Sequence, residues 1–134
     1  MQKRIEILSE IGNLRIVEKA IDEISAELNI SQDNYGKIMV SAMEAVNNAI
    51  IHGNKSESSR KVIISISHKR NILKISVEDE GQGFKPGLIP DPTKPENIEK
   101  VSGRGVFLMS KLADKIEFNE KGNIVTMSFK DIDN

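Results

Sequence analysis

The chain has 134 residues, 38% hydrophobic and 29% charged, a size and composition expected of one folded domain. Nineteen basic and twenty acidic residues leave a formal charge of −1, which argues against a protein built to neutralise nucleic-acid phosphates, and four Phe with one Tyr are too few for a base-stacking platform. The absence of Cys excludes disulfides, thiolate metal sites and a Cys nucleophile and fits a reducing cytoplasm, while no apolar run approaches the roughly 18 residues of a membrane span and no apolar signal core follows the basic start.

Residues 3–8 alternate and predict a short strand. Ile11, Leu14, Val17, Ile21, Ile24 and Leu28 recur every three or four positions, which predicts a helix over about 13–29 that stops at Asn29. Ser31 or Asp33 can cap a second helix over about 32–52, closed by Gly53 in the left-handed conformation. Lys61–His68 and Ile72–Asp79 each line up alternate apolar residues and, joined by Lys69-Arg70-Asn71, predict an antiparallel hairpin. Residues 80 to about 102 have no period, and all four Pro and five of the nine Gly lie between Gly81 and Gly105. A segment of that length inside a compact domain is characteristic of a lid or binding loop. Gly103-Arg104-Gly105 opens a third helix, and Asp114–Asn119 with Asn123–Lys130 predict a closing hairpin. The expected fold class is α+β: a two-layer sandwich of a mixed, mostly antiparallel sheet with about three helices on one face.

Three groups of residues carry candidate chemistry. At about 100° per residue, Lys37, Ser41, Asn48 and His52 fall within about 80° of Glu44 on the polar face of the second helix. That face reads first as the solvated side of an amphipathic helix. Asn47-Asn48, however, places two poor helix formers in tandem. Glu44 and Asn48, four apart, can also reach one point in space. A carboxylate beside an amide oxygen suits Mg²⁺ with retained waters, or the carboxylate can accept a proton from a hydroxyl. Secondly, Asp79 ends an apolar strand and is followed by Gly81 and Gly83. This is either a common acidic turn or a carboxylate that accepts from a purine amino group, with glycines permitting close approach. Thirdly, Gly103-Arg104-Gly105 at a helix start is either an ordinary flexible turn or a phosphate cradle. It matches neither a Walker loop nor a dinucleotide fingerprint. In chain order, the three groups supply the parts of a site for a magnesium nucleotide.

With these residues in view, Glu44-Ala45-Val46-Asn47-Asn48-Ala49-Ile50-Ile51-His52-Gly53 resembles the first box of the Bergerat ATP-binding fold shared by gyrase, Hsp90, histidine kinases and MutL. Asp79-x-Gly81-x-Gly83 resembles its second box and Gly103-x-Gly105 its third. E-A-V-x-N-A-x-x-H-G in a chain of this length is most similar to bacterial anti-sigma factor serine kinases of the RsbW and SpoIIAB type. The resemblance implies one histidine kinase-like ATPase domain over 1–134 with an ATP lid over about 84–102. It implies Glu44 as general base, Asn48 on Mg²⁺, Asp79 on the adenine amino group, Gly81 and Gly83 shaping the adenine pocket, and Gly103 and Gly105 at the phosphates. Arg104, from its position, neutralises phosphate charge, and His52 is a helix-end structural residue. The implied function is ATP-dependent phosphorylation of a serine on an anti-anti-sigma (STAS-type) protein, together with sequestration of a sigma factor by a cytoplasmic homodimer. The alternative is a non-catalytic or other-pathway ATP-binding regulatory module. A detached ATPase half of a histidine kinase is disfavoured, because His52 and His68 end a helix and a strand and no phospho-accepting helical hairpin is encoded.

Overall fold

The computed structural model describes residues 1–81, 109 and 111–133. Five strands form one sheet in the order β1-β2-β3-β5-β4: β1 Gln2–Leu8, β2 Lys61–Lys69, β3 Ile72–Glu78, β4 Lys115–Phe118 and β5 Ile124–Phe129. All four pairings are antiparallel, so the expected mixed sheet is corrected to an antiparallel one among the described residues. The reason lies in the connection from β1 to β2. A single crossover helix returns the chain parallel. Here two helices, α1 Leu14–Glu27 and α2 Gln32–Asn48, lie between the strands, and the second reverses the direction of the first.

Register puts apolar residues in rows across the sheet. Ile64 lies opposite Ile5 and Val77, and Ile75 opposite Ile66 and Met127. Val62, Ile64 and Ile66 of β2, Leu73, Ile75 and Val77 of β3, and Val125, Met127 and Phe129 of β5 are buried against Val17, Ile21 and Ile24 of α1 and Ile38, Ala42, Ala45 and Val46 of α2. This is the expected two-layer sandwich. Its helix count among the described residues is two, plus the last turn of the predicted third helix, where the Ala113 N–H donates to the Met109 carbonyl (2.8 Å). The start of that helix and the proposed lid lie outside the described residues.

Local chemistry sets the helix ends. Asn29 takes φ 54° and Ile30 N–H returns to the Ser25 carbonyl (2.9 Å), so α1 stops where the sequence places its stop. Ser31 caps α2 by accepting from Asn34 N–H at 3.2 Å. The far end of α2 differs from expectation. From Ala49 to Gly53 the helix widens into a π turn, with Asn54 N–H donating to the Ala49 carbonyl (2.8 Å). Lys55 and Ser56, at φ 51° and 57°, take the left-handed conformation expected of Gly53. Gly53 is a glycine for a different reason.

Candidate functional site

The π turn delivers Gly53 to the end of β3. A methyl group added at Gly53 would overlap the Asp79 carboxylate, approaching Oδ1 to 2.9 Å and Oδ2 more closely still. A methyl at Gly81 would overlap the Gly53 carbonyl oxygen and lie 3.0 Å from Asp79 Oδ1. Gly53, Asp79 and Gly81 are therefore pressed together with no room for a side chain on either glycine. The structure requires this close approach, and neither glycine is among the positive-φ residues. π turns recur at functional sites because they redirect a helix end in this way.

Asp79 is half-buried just beyond β3. Its Oδ1 accepts from Gly81 N–H at 2.8 Å, and no hydrogen bond from the described residues reaches Oδ2. Burial holds the carboxyl above its ordinary value of 3.8, against the Gly81 hydrogen bond and the charges of Lys121 and Arg60, which favour the ionised form. The backbone on either side is pinned. Asp79 N–H donates to the Asn123 carbonyl (3.0 Å), and Asn123 Nδ2 donates to the Asp79 carbonyl (3.1 Å). Asn123 is held in turn by Asn119 Nδ2 (2.7 Å), within a β4–β5 turn that closes at Gly122 with φ 83°. Asn54 Oδ1 accepts from Glu80 N–H (2.7 Å).

Glu44 and Asn48 stand one turn apart on the last two turns of α2, both half-buried. They share the helix that leads into Gly53, and Asn48 precedes Gly53 by about 7 Å of helix rise. Asn48 Nδ2 is buried with no hydrogen-bond partner among the described residues. The Glu44 carboxylate has no hydrogen bond or ion pair among the described residues. His52, expected to be a structural helix-end residue, is exposed on the π turn. Gly83, Gly103, Arg104 and Gly105 lie outside the described residues.

The donor set fits an aminopurine nucleotide and a hydrated cation. Asp79 Oδ2 is an acceptor that receives no hydrogen bond from the described residues, and the Gly53–Gly81 contact leaves backbone rather than side chains beside it. The orphaned Asn48 Nδ2 suits a phosphate oxygen, and its Oδ1 suits Mg²⁺. No cluster of three or more His, Cys, Asp or Glu that could hold a metal occurs among the described residues. A cation held by one or two protein oxygens, with water and phosphate completing its shell, is the arrangement Mg²⁺ favours.

A family model of the histidine kinase-like ATPase domain matches residues 7–129. The chain belongs to that family. It is also 30% identical over 133 residues to an anti-sigma F factor of Clostridium perfringens, covering 95% of this chain and 94% of the relative. It is 33% identical over 110 residues to the anti-sigma F factor of Bacillus licheniformis, covering 75% and 70% of the two chains. The crystal structure of the RsbU and RsbW domains of a Mycobacterium tuberculosis protein superposes with a TM-score of 0.70 at 16% identity. That match covers 97% of this chain and 32% of the longer one, and at such identity it speaks for the fold alone. The resemblance to RsbW- and SpoIIAB-type members of this ATPase family is thus borne out.

Two kinds of residue were missed by sequence reasoning. Gly53 was assigned to helix closure, although its partner is the carboxylate of Asp79, 26 positions away. Asn54 has no role in the sequence reading, and Asn119 and Asn123 read only as the ends of the closing hairpin; the side chains of Asn54 and Asn123 instead fix the backbone at Glu80 and Asp79, and Asn119 braces Asn123. The available signal was an Asn immediately after the helix-ending glycine and an Asn pair around the last turn.

Proposed function

We propose that this chain is an ATP-dependent serine protein kinase and anti-sigma factor, phosphorylating an anti-anti-sigma (STAS-type) protein and sequestering a sigma factor. The single observation that carries the reading is a contrast along one helix. Glu44 and Asn48 keep polar atoms with no partner among the described residues, while a few residues later the same helix end forms a tight cradle around a carboxylate whose Oδ2 receives no hydrogen bond from those residues. Two relatives at 30% and 33% identity are anti-sigma F factors, which supports the sigma-factor half of the proposal.

In this reading Asp79 Oδ2 accepts from the adenine 6-amino group, and Gly81, with Gly83, forms the pocket floor. Asn48 holds Mg²⁺ through Oδ1 and a phosphate oxygen through Nδ2. When bound, Mg-ATP supplies the phosphoryl group and the cation that offsets its charge. Glu44 takes the proton from the partner's serine hydroxyl as that oxygen bonds to the γ-phosphorus and the bond to the β,γ-bridging oxygen breaks, leaving ADP. Gly103, Arg104 and Gly105 meet the phosphates, and residues 84–102 act as the lid of a single domain spanning 1–134. The phosphate adds up to about two negative charges to the partner and weakens the complex, freeing the kinase for the sigma factor. A cytoplasmic homodimer is part of the proposal. The exposed apolar side chains of Leu8 on the edge strand β1, and of Ile11 and Ile16 in the segment that follows it, support self-association. No helix among the described residues is long and apolar enough to cross a membrane.

The decisive experiment incubates the purified chain with ATP labelled at the γ-phosphate and an anti-anti-sigma protein from the same cell. Label on a partner serine is the expected result. Tight Mg-ATP binding with no transfer to any co-purifying protein would replace the kinase by the non-catalytic regulatory module of the same fold.

A further inference from the structure

Asn54 is the one fully buried side-chain amide among the described residues, and its side chain bonds to three separate segments. Its Nδ2 donates to Ser9 Oγ (2.8 Å) and to the Lys61 carbonyl (2.9 Å), at the exit of β1 and the entry of β2. Ser9 is itself buried and tied to the next strand, with its N–H (3.0 Å) and its hydroxyl (2.8 Å) both donating to the Arg60 carbonyl. On the other side, Asn54 Oδ1 accepts from Glu80 N–H (2.7 Å). Glu80 is the single residue between Asp79 and Gly81, so that bond fixes the turn on which both depend. The backbone N–H of Asn54 closes the π turn on Ala49, and that turn carries Gly53.

We infer that Asn54 is a positioning residue for purine recognition, welding the Gly53 side of the cradle to the Asp79–Gly81 side so that Asp79 Oδ2 is aimed at a 6-amino group. The inference rests on the ATP-binding reading above. Two alternatives to positioning are met by the pattern of bonds. A buried asparagine that merely closed a helix would spend its side chain on that helix's own backbone, whereas Asn54 spends none there. A residue that merely filled space would need no polar atoms, and burying an amide unsatisfied is costly. Asn54 uses both Nδ2 hydrogens and one Oδ1 lone pair, each on a different structural segment. The strand exit has few other ties. Gly81 N–H bonds only within the turn, and Asn123 holds Asp79 from the β5 side but leaves Glu80 N–H to Asn54. Without Asn54, Glu80 N–H loses its partner and the turn is free to rotate. The carboxylate then keeps its charge and loses its aim.

Selectivity between purines reports aim, whereas overall affinity reports folding and charge. The test measures binding of ATP and of inosine triphosphate, which carries a 6-oxo group in place of the amino group, to the native chain, to Asn54→Ala and to Ser9→Ala. Each protein is studied below its own unfolding midpoint. The native chain is expected to prefer ATP. Asn54→Ala is expected to lose about tenfold of that preference, chiefly through weaker ATP binding, the scale of one hydrogen bond lost from a preorganised site. Ser9→Ala keeps the Ser9 N–H bond to Arg60 and removes one partner of Asn54, so it is expected to shift the preference in the same direction by about threefold. If the folded variants lose affinity for both nucleotides equally and keep the native preference, Asn54 is structural only and the inference is overturned. Where Asn54→Ala does not fold, Ser9→Ala decides by the same criterion. A native chain that binds neither nucleotide overturns the ATP reading itself, an outcome distinct from retained selectivity in the variants.

Discussion

The two ends of the site treat their polar groups in opposite ways. Around Asp79, protein groups satisfy one another: Asn54 holds Glu80, Asn123 holds Asp79, Asn119 holds Asn123, and Gly81 N–H sits on Asp79 Oδ1. One turn and more up α2, Glu44 makes no hydrogen bond or ion pair among the described residues, and Asn48 Nδ2 is buried without a partner among them. The first region has paid for its geometry during folding. In the second the cost of desolvated, unpaired groups stands until something other than this protein arrives. Recognition needs a fixed shape, and group transfer needs groups kept available. The difference divides the labour of the proposed kinase along one helix.

The largest expected effect breaks the second region alone. Glu44→Gln keeps shape and polarity and removes the proton acceptor. It is expected to slow phosphoryl transfer by about 10²–10⁴ while ATP affinity stays within about twofold. Single-turnover transfer of labelled phosphate alongside calorimetric binding separates the two, and undiminished transfer would remove Glu44 from the role of base.

Next in size is a break in the first region. Gly53→Ala places a methyl against the Asp79 carboxylate, so the π turn or the strand end must move. Overpacking of this kind costs roughly 1–3 kcal/mol. ATP affinity is expected to fall at least about tenfold, the equivalent of about 1.4 kcal/mol, with a lowered urea midpoint. A variant with native affinity and native midpoint would mean that the cradle tolerates separation.

How much of this contrast was legible in the sequence follows from the range of the forces involved. The Glu44–Asn48 spacing and the apolar rows of α1, β2, β3 and β5 are set by local periodicity, so they were readable. The stop at Asn29 and the cap at Ser31 are local too, and both appear as expected. The π turn was not readable, because Ala49–His52 continues the α-helical pattern and Gly53 reads as an ordinary helix stop. The wider turn ends at Asn54, whose side chain bonds to residues 7, 26 and 45 positions away, and contacts of that range leave no local pattern. The expected antiparallel hairpins are present, and only the mixed character of the sheet differs. Two helices between β1 and β2 were expected and are observed, but which strands become neighbours is set by long-range packing, and the order β1-β2-β3-β5-β4 makes every pair antiparallel.

Asn48→Ala tests the open region more gently. Removing the amide removes a buried donor that lacks a partner, so the apo protein is expected to lose no stability and to gain up to about 1 kcal/mol. The dependence of ATP affinity on Mg²⁺ should weaken by about tenfold if the amide holds the cation and a phosphate, one charge-assisted contact in size. Equal loss with and without Mg²⁺ would place Asn48 away from the metal. A marked fall in apo stability would mean that the amide is already spent within the protein.

The smallest effect is a pH dependence that belongs to the closed region. Burial raises the Asp79 carboxyl above 3.8, so the folded state holds its proton more tightly than the unfolded chain. The stability this group contributes is therefore complete below 3.8 and is lost as pH rises through the raised folded value. At neutral pH the native protein carries a half-buried carboxylate at a cost. Asp79→Asn keeps an oxygen for Gly81 N–H and carries no charge, so its unfolding midpoint should exceed the native one at neutral pH. The two midpoints should converge as the pH falls towards the unfolded value of 3.8. Its nucleotide affinity should move the other way, because with Oδ1 on Gly81 the amide turns an NH₂ group, a donor, towards the 6-amino group it is meant to accept from. A carboxylate that weakens the fold and strengthens binding marks a group kept for its ligand. If Asp79→Asn lowers the midpoint at neutral pH instead, Lys121 and Arg60 outweigh burial, and the carboxylate belongs to the scaffold.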